Sequence, residues 1–73
     1  MKYQRTDRTI CVGDEVIYAG SPGVIVFVID DDSYSDAFKK EHWSYLDKGF
    51  GMELRDGTLY HFDTPDEDLE PLS

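Results

Sequence analysis

Two acidic clusters hold the densest chemistry in this chain. One is Asp30-Asp31-Asp32; the other places Asp63, Asp66, Glu67, Asp68 and Glu70 within eight residues, with no Lys or Arg among them. Hard cations such as calcium want several carboxylate oxygens. Neither cluster has the Asp-x-Asp-x-Asp-Gly spacing with a distal Glu that a calcium loop uses. Cys11, His42 and His61 could form a nucleophile–base pair, or three zinc ligands, only if the fold happened to gather them. Cys11 lies beside a strand start and reads as a small buried hydrophobe. Gly20-Ser21-Pro22-Gly23 lacks the lysine and the following helix of a phosphate loop. No metal, no cofactor and no catalysis are expected.

Recognition is the better use of these residues. Tyr34, Phe38, Trp43 and Tyr45 are interleaved with Asp30, Asp31, Asp32, Asp36, Glu41 and Asp47. Aromatic anchors within a charged rim are the usual anatomy of a protein interface. The expected partner-binding set is Asp30, Asp31, Asp32, Tyr34, Asp36, Glu41, Trp43 and Tyr45, with Trp43 as the anchor. The competing reading makes Phe38 and Trp43 a cover over an open barrel end.

Charge sharpens this expectation. The formal net charge is −9, and it is unevenly spread. Residues 1–9 hold Lys2, Arg5 and Arg8 against Asp7. From Ile10 onward four bases face fifteen acids, a balance of −11. Such a body attracts basic surfaces and repels nucleic acid and anionic lipid. Solubility alone is the plainer explanation of the same charge. A single cysteine forbids an intrachain disulfide, which points to a reducing cytoplasm. The basic start lacks the apolar run of a signal peptide, and no stretch approaches a membrane span.

The elements that must position these residues are mostly strands. Asp14–Ala19 and Gly23–Ile29 are β-branched and aromatic runs, and Gly20-Ser21-Pro22-Gly23 predicts a tight reversal between them. Gly49–Leu54 and Thr58–Phe62 flank Arg55-Asp56-Gly57, a hairpin signal. Two registers are open there. A two-residue turn pairs Leu54 with Leu59, whereas a three-residue turn with a bulge at Gly57 groups Phe50, Met52 and Leu54 with Tyr60 and Phe62. The second buries five apolar side chains together and turns His61 outward as a surface histidine.

Between the hairpins, Ser33 and Asp36 resemble a capping box, and Tyr34, Ala37, Phe38, Glu41 and Tyr45 share a helical stripe. This predicts one short inserted helix over about residues 34–44. Thr64-Pro65-Asp66-Glu67 has the pattern of a helix start, so one helical turn is expected there, with Leu69 and Leu72 returning to the core. Residues 1–9 read as a flexible basic N-terminal arm, and 10–73 as a single small mainly β domain. Its predicted form is an SH3-like barrel or a strongly curved antiparallel sheet of about five strands.

Two resemblances add to this. Val12-Gly13-Asp14-Glu15-Val16, Gly20 and Gly23-Val24-Ile25-Val26 are similar to the Gly-Asp-x-Val…Gly…Gly-x-Val pattern of KOW-type barrels. That resemblance implies an SH3-like fold and an accessory role in transcription or translation machinery. The lysines and arginines of RNA-binding members have no counterpart in this acidic body. His42–Gly49, Asp56–Phe62 and Asp66–Leu69 resemble small bacterial immunity proteins, cytoplasmic inhibitors that bind a kin toxin. The leading expectation is a non-enzymatic, acidic protein-binding module of that type, blocking a basic surface of a partner toxin. The alternative is the SH3-like accessory module.

Overall fold

The computed structural model describes residues 2–4, 8–36, 38–65 and 67–72, with backbone alone at 42–44. Among these residues there are six strands: β1 Glu15–Tyr18, β2 Ser21–Val28, β3 Ser33–Tyr34, β4 Phe50–Leu54, β5 Leu59–Phe62 and β6 Leu69–Pro71. They form one antiparallel sheet in the order β5-β4-β2-β1-β6, with β3 joined to β2 off that path. The fold is therefore mainly β, as expected, but the sheet does not close into a barrel.

The sheet is strongly curved all the same. In a flat sheet β1 and β5, three spacings apart, would lie about 14 Å from each other. Instead the ring of Tyr18 on β1 meets that of Phe62 on β5 at 5.1 Å and that of Tyr60 at 6.0 Å. The sheet curls until its inner side chains touch across the open side.

The first reversal falls at Ala19-Gly20, not over Gly20–Gly23 as expected, since Tyr18 pairs directly with Ser21. Both turn residues have positive φ, 50° at Ala19 and 88° at Gly20, which suits a two-residue hairpin whose twist matches its strands. Pro22 is thereby drawn into β2, one position before pairing with β4 begins at Gly23.

The second hairpin takes the bulged register. Phe50 pairs with Phe62 and Met52 with Tyr60, and the Gly57 N–H donates to Leu54 O at 3.0 Å. Gly57 has φ +91°, the left-handed conformation that a three-residue loop demands at this position. His61 falls on the outer face.

A second bulge, unpredicted, sits in β2. Ile25 pairs with Met52 but Phe27 with Gly51, so Val26 is the extra residue. One inserted residue reverses the alternation of side chains. Ile25 and Val28 consequently both face the main core, with Val16, Phe50, Met52 and Leu69. Phe27 goes to the opposite face and lies against Gly51, where any Cβ would run into its ring.

Tyr3 and Ile10 also belong to the main core. Tyr3 is only 2% exposed, Lys2 bridges to Thr9, and the Tyr3 phenol donates to Asp14 at 2.8 Å. Part of the stretch read as an arm is thus anchored in the core, while Arg5, Thr6 and Asp7 lie outside the described residues. Burial, and then the bond to Asp14, push the Tyr3 phenol well above its ordinary range. Cys11, expected to be buried, is exposed. Its backbone N–H also donates to the Asp14 carboxylate, at 3.0 Å.

The helix expected over 34–44 does not form. Ser33 and Tyr34 pair with β2, and among the described residues α-helix is confined to one turn, Lys40–Trp43, between 3-10 turns at Ile29–Asp31 and Ser44–Leu46. A segment this short cannot offset the cost of helix nucleation, and strand pairing takes its first residues. The helical turn expected at residues 64–67 is likewise not seen among the described residues: Glu67 and Asp68 form a turn leading into β6, and Asp66 lies outside them. Leu69 is buried as anticipated, but Leu72 is 51% exposed.

Candidate functional site

The excursion from Ile29 to Gly49 carries the expected partner-binding residues, and its two ends are clasped together. The Ile29 N–H donates to Gly49 O at 2.8 Å, and the Gly49 N–H donates to the Asp30 carboxylate at 2.9 Å. Asp30 is therefore a structural clasp at the neck of the loop. Asp32 adopts φ +55° and pairs with Lys40 at 2.8 Å, which draws the acidic turn beside the helical turn. The hydrogen bond to Asp32 holds the Lys40 ammonium above its ordinary range.

The aromatic residues divide by role. Tyr34 is half-buried and its ring stacks on Phe27 at 6.1 Å; Phe38 meets the same ring at 6.3 Å. These three rings form a small satellite core beneath the excursion, so Tyr34 holds the loop down. Tyr45 is 75% exposed. The Trp43 side chain lies outside the described residues. Asp31, Asp36 and Glu41 are exposed, and their carboxylates make no ion pair among the described residues. From eight expected residues, the excursion presents Asp31, Asp36, Glu41 and Tyr45 as an accessible group; Tyr34 ties the excursion to the sheet, Asp30 closes its neck and Asp32 bridges to Lys40 within it.

His61 does not join Cys11, whose thiol lies against Thr9 O at 3.6 Å. The backbone of His42 lies in the helical turn, while His61 places Nε2 2.9 Å from Lys48 O and Nδ1 3.8 Å from Asp63. No group of three His, Cys, Asp or Glu side chains among the described residues is arranged to hold a metal ion. No described helix is long and apolar enough to cross a membrane.

A second feature was not anticipated. A cleft of about 350 Å³ opens where β1, β2 and β4 run side by side, and Glu15, Pro22, Val24, Glu53, Arg55 and Leu72 shape it. Glu15 pairs with Val24, and Val24 with Glu53, so the two carboxylate residues occupy one row with a valine between them. The register of β4 with β5 is legible in the hairpin sequence. The pairing of β2 with β4 spans the whole excursion and has no local signal.

Compared with known protein families, curated proteins and solved structures, this chain matches none.

Proposed function

We propose that the chain is a non-enzymatic, acidic docking module that binds a basic protein surface, of the kind an immunity protein uses to occlude a toxin. The observation that carries this reading is the excursion's exposed group: Tyr45 stands out beside a helical turn, while Asp31, Asp36 and Glu41 offer exposed carboxylates with no ion-pair partner among the described residues. Carboxylates at such a rim hasten encounter, and an aromatic that becomes buried on binding slows release. A net charge of −9 extends the attraction beyond the contact itself. Affinity capture with the immobilised chain is expected to recover a basic protein. An Asp31→Lys/Asp36→Lys variant of unchanged melting temperature is expected to recover much less of it. Equal recovery by both removes the acidic-face mechanism.

The SH3-like accessory reading draws support from β6, which returns to lie beside β1 at the far side of the β1–β2 hairpin. On that reading Lys2, Arg5 and Arg8 contact nucleic acid. Because Tyr3 belongs to the core, the arm is tested with a Lys2→Ala/Arg5→Ala/Arg8→Ala variant, not a deletion. Retarded migration of RNA at low salt, lost in the variant, favours this alternative.

A further inference from the structure

We propose that the cleft between β1, β2 and β4 is a receptor for a single arginine side chain of a basic polypeptide. This rests on the reading that the chain docks onto basic protein, but it assigns a different surface from the excursion. Consecutive strands are spaced about 4.8 Å apart, so the Glu15 and Glu53 backbones stand about 10 Å from each other, one on each side of Val24. Both residues line the cleft, and neither side chain has an ion-pair or hydrogen-bond partner among the described residues.

Arg55 lines the same cleft, yet it pairs with neither carboxylate. The site therefore keeps two acceptors with no ion-pair partner among the described residues. Val24 and Pro22 supply an apolar floor, and Leu72, 51% exposed, projects beside it. That combination suits a long side chain with an apolar stem and a flat cationic head. A guanidinium carries five donors in a planar fork, so it can present N–H groups to carboxylates on two sides while its face rests on valine. An ammonium is a compact point charge and engages such a divided pair less well.

The test is a titration of the full chain with an acetylated, amidated pentapeptide of glycines around one central arginine, followed by backbone amide shifts. Shifts are expected to concentrate at Gly13, Val24, Glu53 and Leu72. In a Glu15→Gln/Glu53→Gln variant of unchanged melting temperature, affinity is expected to fall about tenfold, as for loss of a charge-assisted bond. Replacing the peptide's arginine by lysine is expected to weaken binding several-fold. The Asp31→Lys/Asp36→Lys variant is expected to bind the peptide as the parent does. Shifts confined to residues 30–47, or an affinity that the two glutamine substitutions leave intact, overturn the cleft assignment while leaving the excursion's role standing. Equal protein capture by the parent and the Asp31→Lys/Asp36→Lys variant, with the peptide site intact, has the opposite meaning.

Discussion

Ile25 and Phe27 are two residues apart in one strand, yet they serve different parts of the molecule. Ile25 faces the main core, where the Phe50 and Phe62 rings stack at 5.0 Å and Tyr18 closes over them. Phe27 faces the satellite core, where Tyr34 and Phe38 pin the excursion to the outer side of the sheet. The main core is closed by many side chains from five strands and from the N-terminal stretch. Among the described residues, the satellite holds the rings of Phe27, Tyr34 and Phe38, a clasp at Asp30 and an exposed ion pair. Stability is concentrated in the first region. The second keeps its carboxylates and Tyr45 turned to solvent, as a surface meant to be covered by something else must.

The comparison can be broken most severely at Phe50. Phe50→Ala is expected to cost about 4 kcal/mol, much of the stability of a domain this small, whereas Tyr34→Ala is expected to cost about 2 kcal/mol. Urea denaturation of both variants measures the gap, and equal losses would make the two regions one cooperative core. Gly51→Ala joins the regions from the other direction, because its Cβ runs into the Phe27 ring across the sheet. A loss of about 2 to 3 kcal/mol is expected, with amide shifts centred on Tyr34 and Phe38 and not on Phe62.

Tyr3 gives the comparison a pH axis. Burial and the bond to Asp14 keep its phenol protonated in the folded chain beyond the ordinary value of 10.0. Its contribution is therefore complete below about pH 10. It is lost as pH rises toward the folded group's higher value, since the unfolded chain ionises first. Alkaline melting curves of the parent should fall above pH 10, and those of Tyr3→Phe should fall less steeply, after an initial loss of about 1 kcal/mol at neutral pH. The smallest effect belongs to the excursion's surface. Lys40→Ala removes an exposed ion pair and is expected to leave the melting temperature unchanged. A measurable drop would mean that the Asp32–Lys40 contact shapes the loop and does more than decorate it.

Much of the fold was legible in the residues because its signals are local. The alternation in Phe50-Gly51-Met52-Glu53-Leu54, with Asp56-Gly57 beyond it, was enough to choose the bulged hairpin. The candidate site was legible only in part. Its charge and aromatic content stood in the sequence, but the helical stripe through Tyr34 misled, since Tyr34 pairs with Phe27 as a strand residue. Asp30 and Asp31 look alike in the chain. One became a clasp because Gly49, nineteen residues away, presents an N–H to it, and the other's carboxylate has no ion-pair partner among the described residues.

By itself, then, the sequence determined a small strand-rich acidic chain, the register of one hairpin and the character of its surface. Those follow from neighbouring residues, through side-chain alternation, turn conformation and net charge. Tertiary structure alone decided that the sheet curls without closing, that Val26 bulges to divide Ile25 from Phe27, and that Glu15 and Glu53 flank one valine. Each of these depends on β2 pairing with β4 across a 21-residue excursion. Long-range contacts of that kind are chosen by the packing of the whole molecule, and no short stretch encodes them.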